Sequence, residues 1–216
     1  MVCLFPDVGH ISVLLSEGMA RVSGFGSIPR TPTSFLTRAG AVHGDRVAVV
    51  EGEVRHTYGE LLDRSRGLAG ALRGLGIDHG DRVSVLAPNS SSILEAHLEA
   101  HFGVPWSGGV LNALTLIDQA MPEMVAVEDE NSPLAPYHMS GTAGRPKGVM
   151  NSHRGAYSQA LAMASHTGLD ARSRYLWTLP MFHSNGWCFP WAVRAAGGRH
   201  VLIRRPSSGR RSPMPA

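Results

Sequence analysis

The chain has 216 residues, enough for one domain with a substantial hydrophobic core or two small ones. Its 43% hydrophobic and 17% charged content is that of a soluble globular protein and excludes disordered and fibrous classes. Two cysteines, Cys3 and Cys188, exclude a disulfide framework and make a reducing cytoplasm the expected compartment.

The N-terminal stretch MVCLFPDVGHISVLLSEGMA is apolar only in short runs, broken by Asp7, His10 and Glu17. It has no basic start, so neither a signal peptide nor a membrane span is expected. Residues 1–30 read as a poorly ordered leader. From Thr33 the pattern sharpens. SFLTRAGAVHG reads as a short helix and DRVAVVEG as a buried strand ended by a turn. RHTYGELLDRSRGLAGALRGLG reads as a longer helix, with Leu61, Leu62, Leu68, Ala69 and Leu72 near helical spacing. Thr57 and Glu60 resemble a capping box at its start.

GDRVSVLAPNS then reads as a strand and SSILEAHLEAHFGV as a helix. Strand and helix in this alternation predict an α/β fold, a mostly parallel sheet flanked by helices. Ligand sites in such sheets lie at the carboxyl ends of strands. His97 and His101 stand four apart in the repeated EAHLEAHF. A metal would need a third ligand, and the glutamate is misplaced for an HExxH zinc pattern, so no metal site is expected. Residues 112–136 are acidic and irregular and read as a connector.

The formal net charge is +3, unevenly spread: no Asp or Glu follows Asp170, while eight arginines do. No aromatic residues interleave the arginines of the tail, as a nucleic-acid stacking platform requires. Residues 206–216 are therefore expected to be a disordered basic tail, with no nucleic-acid partner.

Lys147 is the only lysine in the sequence, and it sits in SGTAGRPKG, residues 140–148. Ser140, Gly141, Thr142, Ala143 and Gly144 can form a tight turn whose backbone N–H groups converge on an anion. Glycine permits close approach because it has no Cβ. Pro146 stiffens the chain before Lys147, whose ammonium is a compact point charge. The spacing is not that of a Walker A loop. On the residues alone, an anion-binding loop and a plain polar turn both remain open.

The longer string is more specific. SGTAGRPKGV followed by SHRGAY resembles the phosphate loop of the AMP-forming acyl-CoA synthetases, the adenylate-forming enzyme superfamily. LPMFHSNGWCFPWAVRAAGGRHVLIRR resembles the next motif of that family, and GDRVAVVEG through VLAPNS, with GGVLN after it, resembles its N-terminal subdomain. The resemblance covers roughly residues 25–205. It implies a partial N-terminal domain of the adenylate-forming fold over residues 31–205, with internal loss near 113–130.

It also implies a reaction. A carboxylate, such as a fatty acid, attacks the α-phosphate of ATP, pyrophosphate leaves, and coenzyme A displaces AMP from the acyl-adenylate. Mg2+ is the expected companion of ATP. The partners are then small molecules, with no stable membrane insertion. The resemblance puts residues 140–144 and Lys147 at the ATP phosphates, Lys147 and His183 in catalytic positions, and His183, Asn185, Gly186 and Trp187 around the acyl pocket. For His183 a structural role at a strand end is the alternative, and for Trp187 core packing. Arg154 reads as a solvated charge.

The chain departs from the family pattern at Met139 and Ala143, where hydroxyl residues are usual. Each loss removes a donor worth about 1.5–3 kcal/mol to a charged oxygen. The adenine-binding, ribose-binding and lid-lysine motifs of the family have no counterpart in the 216 residues. The resemblance therefore implies a chain inactive by itself. The alternative is a non-catalytic remnant or a weak nucleotide-binding fragment.

Overall fold

A computed structural model describes residues 28–78, 81, 83, 89–99, 120–124, 126–139, 147–181 and 183–203. The first unit is built on a four-stranded sheet of order β2-β1-β6-β5. Its strands are β1 (Val47–Glu51), β2 (Val54–Thr57), β5 (Arg174–Trp177) and β6 (Arg199–Leu202). β6 runs parallel to both β1 and β5, and β2 closes one edge as an antiparallel hairpin partner of β1. The parallel α/β expectation therefore holds. RHT, read from sequence as the beginning of a helix, is instead the end of β2.

Helices α1 (Thr33–His43), α2 (Tyr58–Gly74) and α3 (Ser91–Glu99) bury Leu36, Leu61 and Leu94 in one core with Val49, Trp177 and Leu202 from the sheet. Each such aliphatic side chain contributes about 1.5–3 kcal/mol when removed from water. Helix α2 starts where the capping box predicts: Thr57 Oγ1 accepts from Glu60 N, and Glu60 Oε2 accepts from Thr57 N. The start of α3 is held from a distance, because the buried Glu51 carboxylate at the end of β1 accepts from Ser91 N at 3.0 Å.

Polar groups inside this unit are tied to specific partners. The buried Tyr58 hydroxyl donates to Gly198 O at 2.5 Å, and burial pushes the phenol pKa up. Arg64 donates to the buried Glu95 carboxylate at 2.6 Å. Arg194 is fully buried and donates from Nη2 to Leu94 O at 2.7 Å. Burial lowers its pKa to about 9, against the opposing pull of Tyr58 and Glu95, so it keeps its charge at neutral pH.

The second unit is an antiparallel hairpin, β3 (Pro133–Met139) with β4 (Lys147–Ser152), followed by α4 (His153–His166). Helix α5 (Phe189–Ala195) joins the units. Its Trp191 and Ala192 share a second core with Phe35, Leu134, Ala156 and Ala160. Phe35 stacks on Tyr157 with ring centroids 4.6 Å apart. Helix α1 thus faces both cores, through Leu36 and through Phe35.

The expected connector over 112–136 is corrected in its last part, since β3 begins at Pro133. Ahead of it, residues 121–124 lie as a strap across α2. Glu123 N donates to Arg66 O at 3.0 Å, and Glu123 pairs with Arg73 at 3.3 Å. A Cβ on Gly70 would stand 1.8 Å from Met121 O, so only glycine admits the strap there. The strand predicted over GDRVSVLAPNS and the tail 206–216 fall mostly or wholly outside the described residues, as does GGVLN.

Candidate functional site

The phosphate-loop sequence falls at the tip of the β3–β4 hairpin. Met139 pairs with Lys147, so the ladder brackets residues 140–146. Ser140, Gly141, Thr142, Ala143 and Gly144 lie outside the described residues. Lys147 is the first residue of β4, and its side chain also lies outside them. The structure therefore fixes where the loop starts and returns, at the head of a strand that runs directly into α4.

That strand-to-helix junction is strongly anchored. Ser152 caps α4 by accepting from Gly155 N at 3.2 Å. His153 is fully buried, and its Nδ1 lies 2.8 Å from Thr31 Oγ1. His153 N donates to Ser132 O, and Arg154 N donates to Glu130 O at 2.7 Å. Glu130 in turn accepts from Arg30 through N, Nε and Nη2 at 2.8–3.0 Å, which holds its carboxyl below the usual carboxylate range. Arg154 stands 3.9 Å from the same carboxylate, so it is half-exposed and oriented toward Glu130 rather than simply solvated.

Sequence reading missed Thr31, Glu130 and His153 as one clamp. Arg30, the last residue of the expected leader, is part of it. Their separations, from Arg30 to Glu130 and from Thr31 to His153, leave no local signal.

The second motif folds as β5, a bend through Pro180, a 3₁₀ turn (His183–Cys188) and α5. Asn89 pins the bend: its Nδ2 donates to Leu179 O at 2.7 Å, and its Oδ1 accepts from Met181 N at 2.8 Å. Asn89 is a second residue that sequence reading passed over, having taken APNS only as a turn. The 3₁₀ turn lies against β3 and α4, which brings the two motifs side by side.

Within that turn His183 is exposed, and its backbone N donates to Pro180 O. The Asn185 side chain lies outside the described residues. Gly186, Trp187 and Cys188 all have left-handed backbones, with φ of 56°, 56° and 64°. For the two residues with side chains this costs about 1–2 kcal/mol each, the kind of strain that collects at functional sites.

A Cβ on Gly186 would meet the Trp177 ring at 2.9 Å. Trp187 is 63% exposed, so the core-packing alternative fails for it. The Cys188 thiol is buried, and burial pushes its pKa up to about 11, which leaves it unreactive as a nucleophile. Among the described residues no group of His, Cys, Asp and Glu side chains is arranged to hold a metal ion.

The sequence profile of the AMP-binding enzyme family matches residues 36–116 and 111–214. The chain belongs to the AMP-binding enzyme family. It is 31% identical to the peroxisomal acetate/butyrate–CoA ligase AAE7 of Arabidopsis thaliana over 253 residues, covering 81% of this chain and 44% of that protein. It is 30% identical to the peroxisomal benzoate–CoA ligase of the same plant, covering 82% of this chain and 43% of the relative.

In fold it is similar to the N-terminal domain of FACL13 from Mycobacterium tuberculosis, solved with an inhibitor. There the TM-score is 0.71 and the identity 23%, over 83% of this chain and 58% of that one. The chain thus spans less than half the length of the curated relatives it matches.

Proposed function

We propose that the chain carries the phosphate-binding and acyl-proximal part of an AMP-forming acyl-CoA ligase. The observation that supports this most directly is the β3–β4 ladder, which brackets the loop sequence between Met139 and Lys147, while β3 and α4 lie against the strained 183–188 turn. In this reading the backbone of residues 140–144 and Lys147 hold the β- and γ-phosphates of ATP. Lys147 offsets charge as pyrophosphate leaves. His183 lies between nucleotide and acyl group, and Asn185, Gly186 and Trp187 line the acyl side. The exposure of His183 and Trp187 fits side chains that meet a substrate.

Mg2+ would accompany the triphosphate and spread its charge. The carboxylate oxygen attacks the α-phosphorus, pyrophosphate leaves, and the coenzyme A thiol then takes the acyl group while AMP departs. Relatives named for acetate or butyrate and for benzoate share the same stretch of sequence, so it leaves the acid open across aliphatic and aromatic classes. A fatty acid remains the class first expected. No helix among the described residues is long and apolar enough to cross a membrane, and the cysteine usage favours the cytoplasm.

A second reading has its own support. The match to the acetate/butyrate ligase extends over 253 residues, more than the 216 of this whole chain. The relative therefore carries residues inside the shared stretch that this chain lacks. The family match also falls into two pieces that meet at 111–116, beside the expected loss near 113–130. In this reading the 216 residues form a non-catalytic or weakly nucleotide-binding unit.

A thermal melt with and without Mg-ATP, beside Lys147→Ala, tests the shared element of both readings. Ligand at a hundredfold its Kd stabilises the folded state by about 2.7 kcal/mol. The midpoint should rise with ATP in the unaltered chain and stay fixed in the variant. A midpoint indifferent to ATP in the unaltered chain removes the nucleotide site.

A further inference from the structure

Helix α2 carries Arg66, Gly70 and Arg73 at spacings of four and three, so all three lie on one face. The strap over residues 121–124 crosses that face. Glu123 N donates to Arg66 O at 3.0 Å, Glu123 pairs with Arg73, and Met121 O fits over Gly70. The last contact differs in kind: Arg66 Nη2 donates to Met124 Sδ at 3.2 Å. That sets a charged donor on a thioether, which is a weak acceptor.

The neighbouring donor of the same guanidinium has less still. Nε and Nη2 share one edge of the planar group, the fork that elsewhere in this chain grips carboxylates. Arg30 uses both atoms on Glu130, at 3.0 and 2.8 Å, and Arg64 uses both on Glu95, at 2.6 and 3.4 Å. In Arg66 the Nε is buried and has no hydrogen-bond partner among the described residues. A buried N–H without an acceptor is costly, because water does not reach it. The edge of Arg66 that meets the strap is therefore short of one oxygen.

Met124 can supply that oxygen. Its side chain is 65% exposed, open to dissolved peroxide, and its sulfur already lies at the fork. Hydrogen peroxide transfers one oxygen atom to the thioether; the sulfur is oxidised by two electrons, the peroxide is reduced, and water leaves. Methionine oxidation ordinarily loosens a structure by making a packed apolar group polar. The exposed Met124 has little packing to lose and a donor edge beside it. We propose that Met124 is an oxidative modification site read by Arg66: the sulfoxide oxygen accepts from the Nε and Nη2 fork and fastens the strap to α2. Reduction of the sulfoxide reverses the fastening. None of the nucleotide chemistry enters, so the site stands or falls apart from the phosphate loop.

The full chain is treated with dilute hydrogen peroxide, and oxidation at each methionine is read by fragment-ion mass spectrometry. Met121, 86% exposed, is the internal reference for access. Exchange of the Glu123 amide, which donates to Arg66 O, is followed by NMR. On oxidation it should slow at least about fivefold, the change that one further hydrogen bond of ordinary strength brings. Methionine sulfoxide reductase should restore the original rate.

Given the same peroxide, the slowing should vanish in Met124→Leu and in Arg66→Leu. The first comparison leaves Arg66 in place and decides the matter even where the second variant does not fold. Exchange unchanged or faster once Met124 is oxidised would overturn the proposal, as would equal slowing in either variant. Met124 left reduced while Met121 is fully oxidised would overturn it too, since the sulfur would then lie out of the oxidant's reach.

Discussion

The sheet unit and the hairpin unit are held together by different physics. Around the sheet, polar groups pair at least partly out of water: Tyr58 with Gly198, Arg64 on α2 with the buried Glu95 on α3, and the buried Arg194 with Leu94. The hairpin and α4 are fixed by a surface clamp, Arg30 and Arg154 around Glu130, beside one buried hydrogen bond between Thr31 and His153 and small residues on α4 against Trp191. Buried, hydrogen-bonded groups are costly to detach, whereas exposed ion pairs are screened and weak. The ion pairs around Glu130 are therefore the weakest part of what holds the hairpin unit.

The largest effect expected is at the seam. Trp191, 1% exposed, joins α5 to Phe35, Leu134 and α4. Trp191→Ala should cost about 3–5 kcal/mol. Hydrogen exchange should show α4 losing protection while β1 and β6 keep theirs. Equal loss in both would show that the two units unfold as one.

Gly186→Ala comes next. It sets a side chain on a left-handed backbone and drives a Cβ into the Trp177 ring, for about 1–3 kcal/mol of strain. The change in near-UV circular dichroism from the tryptophans should exceed any loss of helix signal. An unchanged melting midpoint would show that the 183–188 turn is free to relax.

The smallest effect concerns the clamp. Glu130 has its pKa lowered, first by the side-chain hydrogen bonds from Arg30. A carboxyl lowered in the folded state contributes stability above its unfolded pKa and loses it as pH falls through the folded value. Glu130→Gln should thus lower the midpoint slightly at neutral pH and flatten its fall below the ordinary carboxylate range. Added salt should shrink the difference at neutral pH. A variant with the same acid limb as the unaltered chain would remove Glu130 from the clamp.

Local features were legible in the sequence where one physical rule sufficed. The capping box at Thr57 and Glu60, the β1 run and the helix over 33–43 all appear where spacing places them. The register of β3 with β4 was not legible, because the acidic run before Pro133 hid a strand whose pairing is its main support. The clamp was equally hidden, since Thr31 and His153 meet only after the hairpin forms.

The sequence by itself determined the family, through ordered motifs dense with glycine and proline whose spacing is set by backbone geometry and survives substitution elsewhere. It also determined the parallel α/β class, because period and alternation are local. Tertiary structure alone decided that Trp187 is exposed while Trp191 is buried, though both stand in the same motif. It alone decided that Val49, Trp177 and Leu202 lie on the packed face of the sheet while Leu176, between them in the chain pattern, is half-exposed. Those facts depend on which segments meet in space, and the pattern of residues along a single strand does not carry that information.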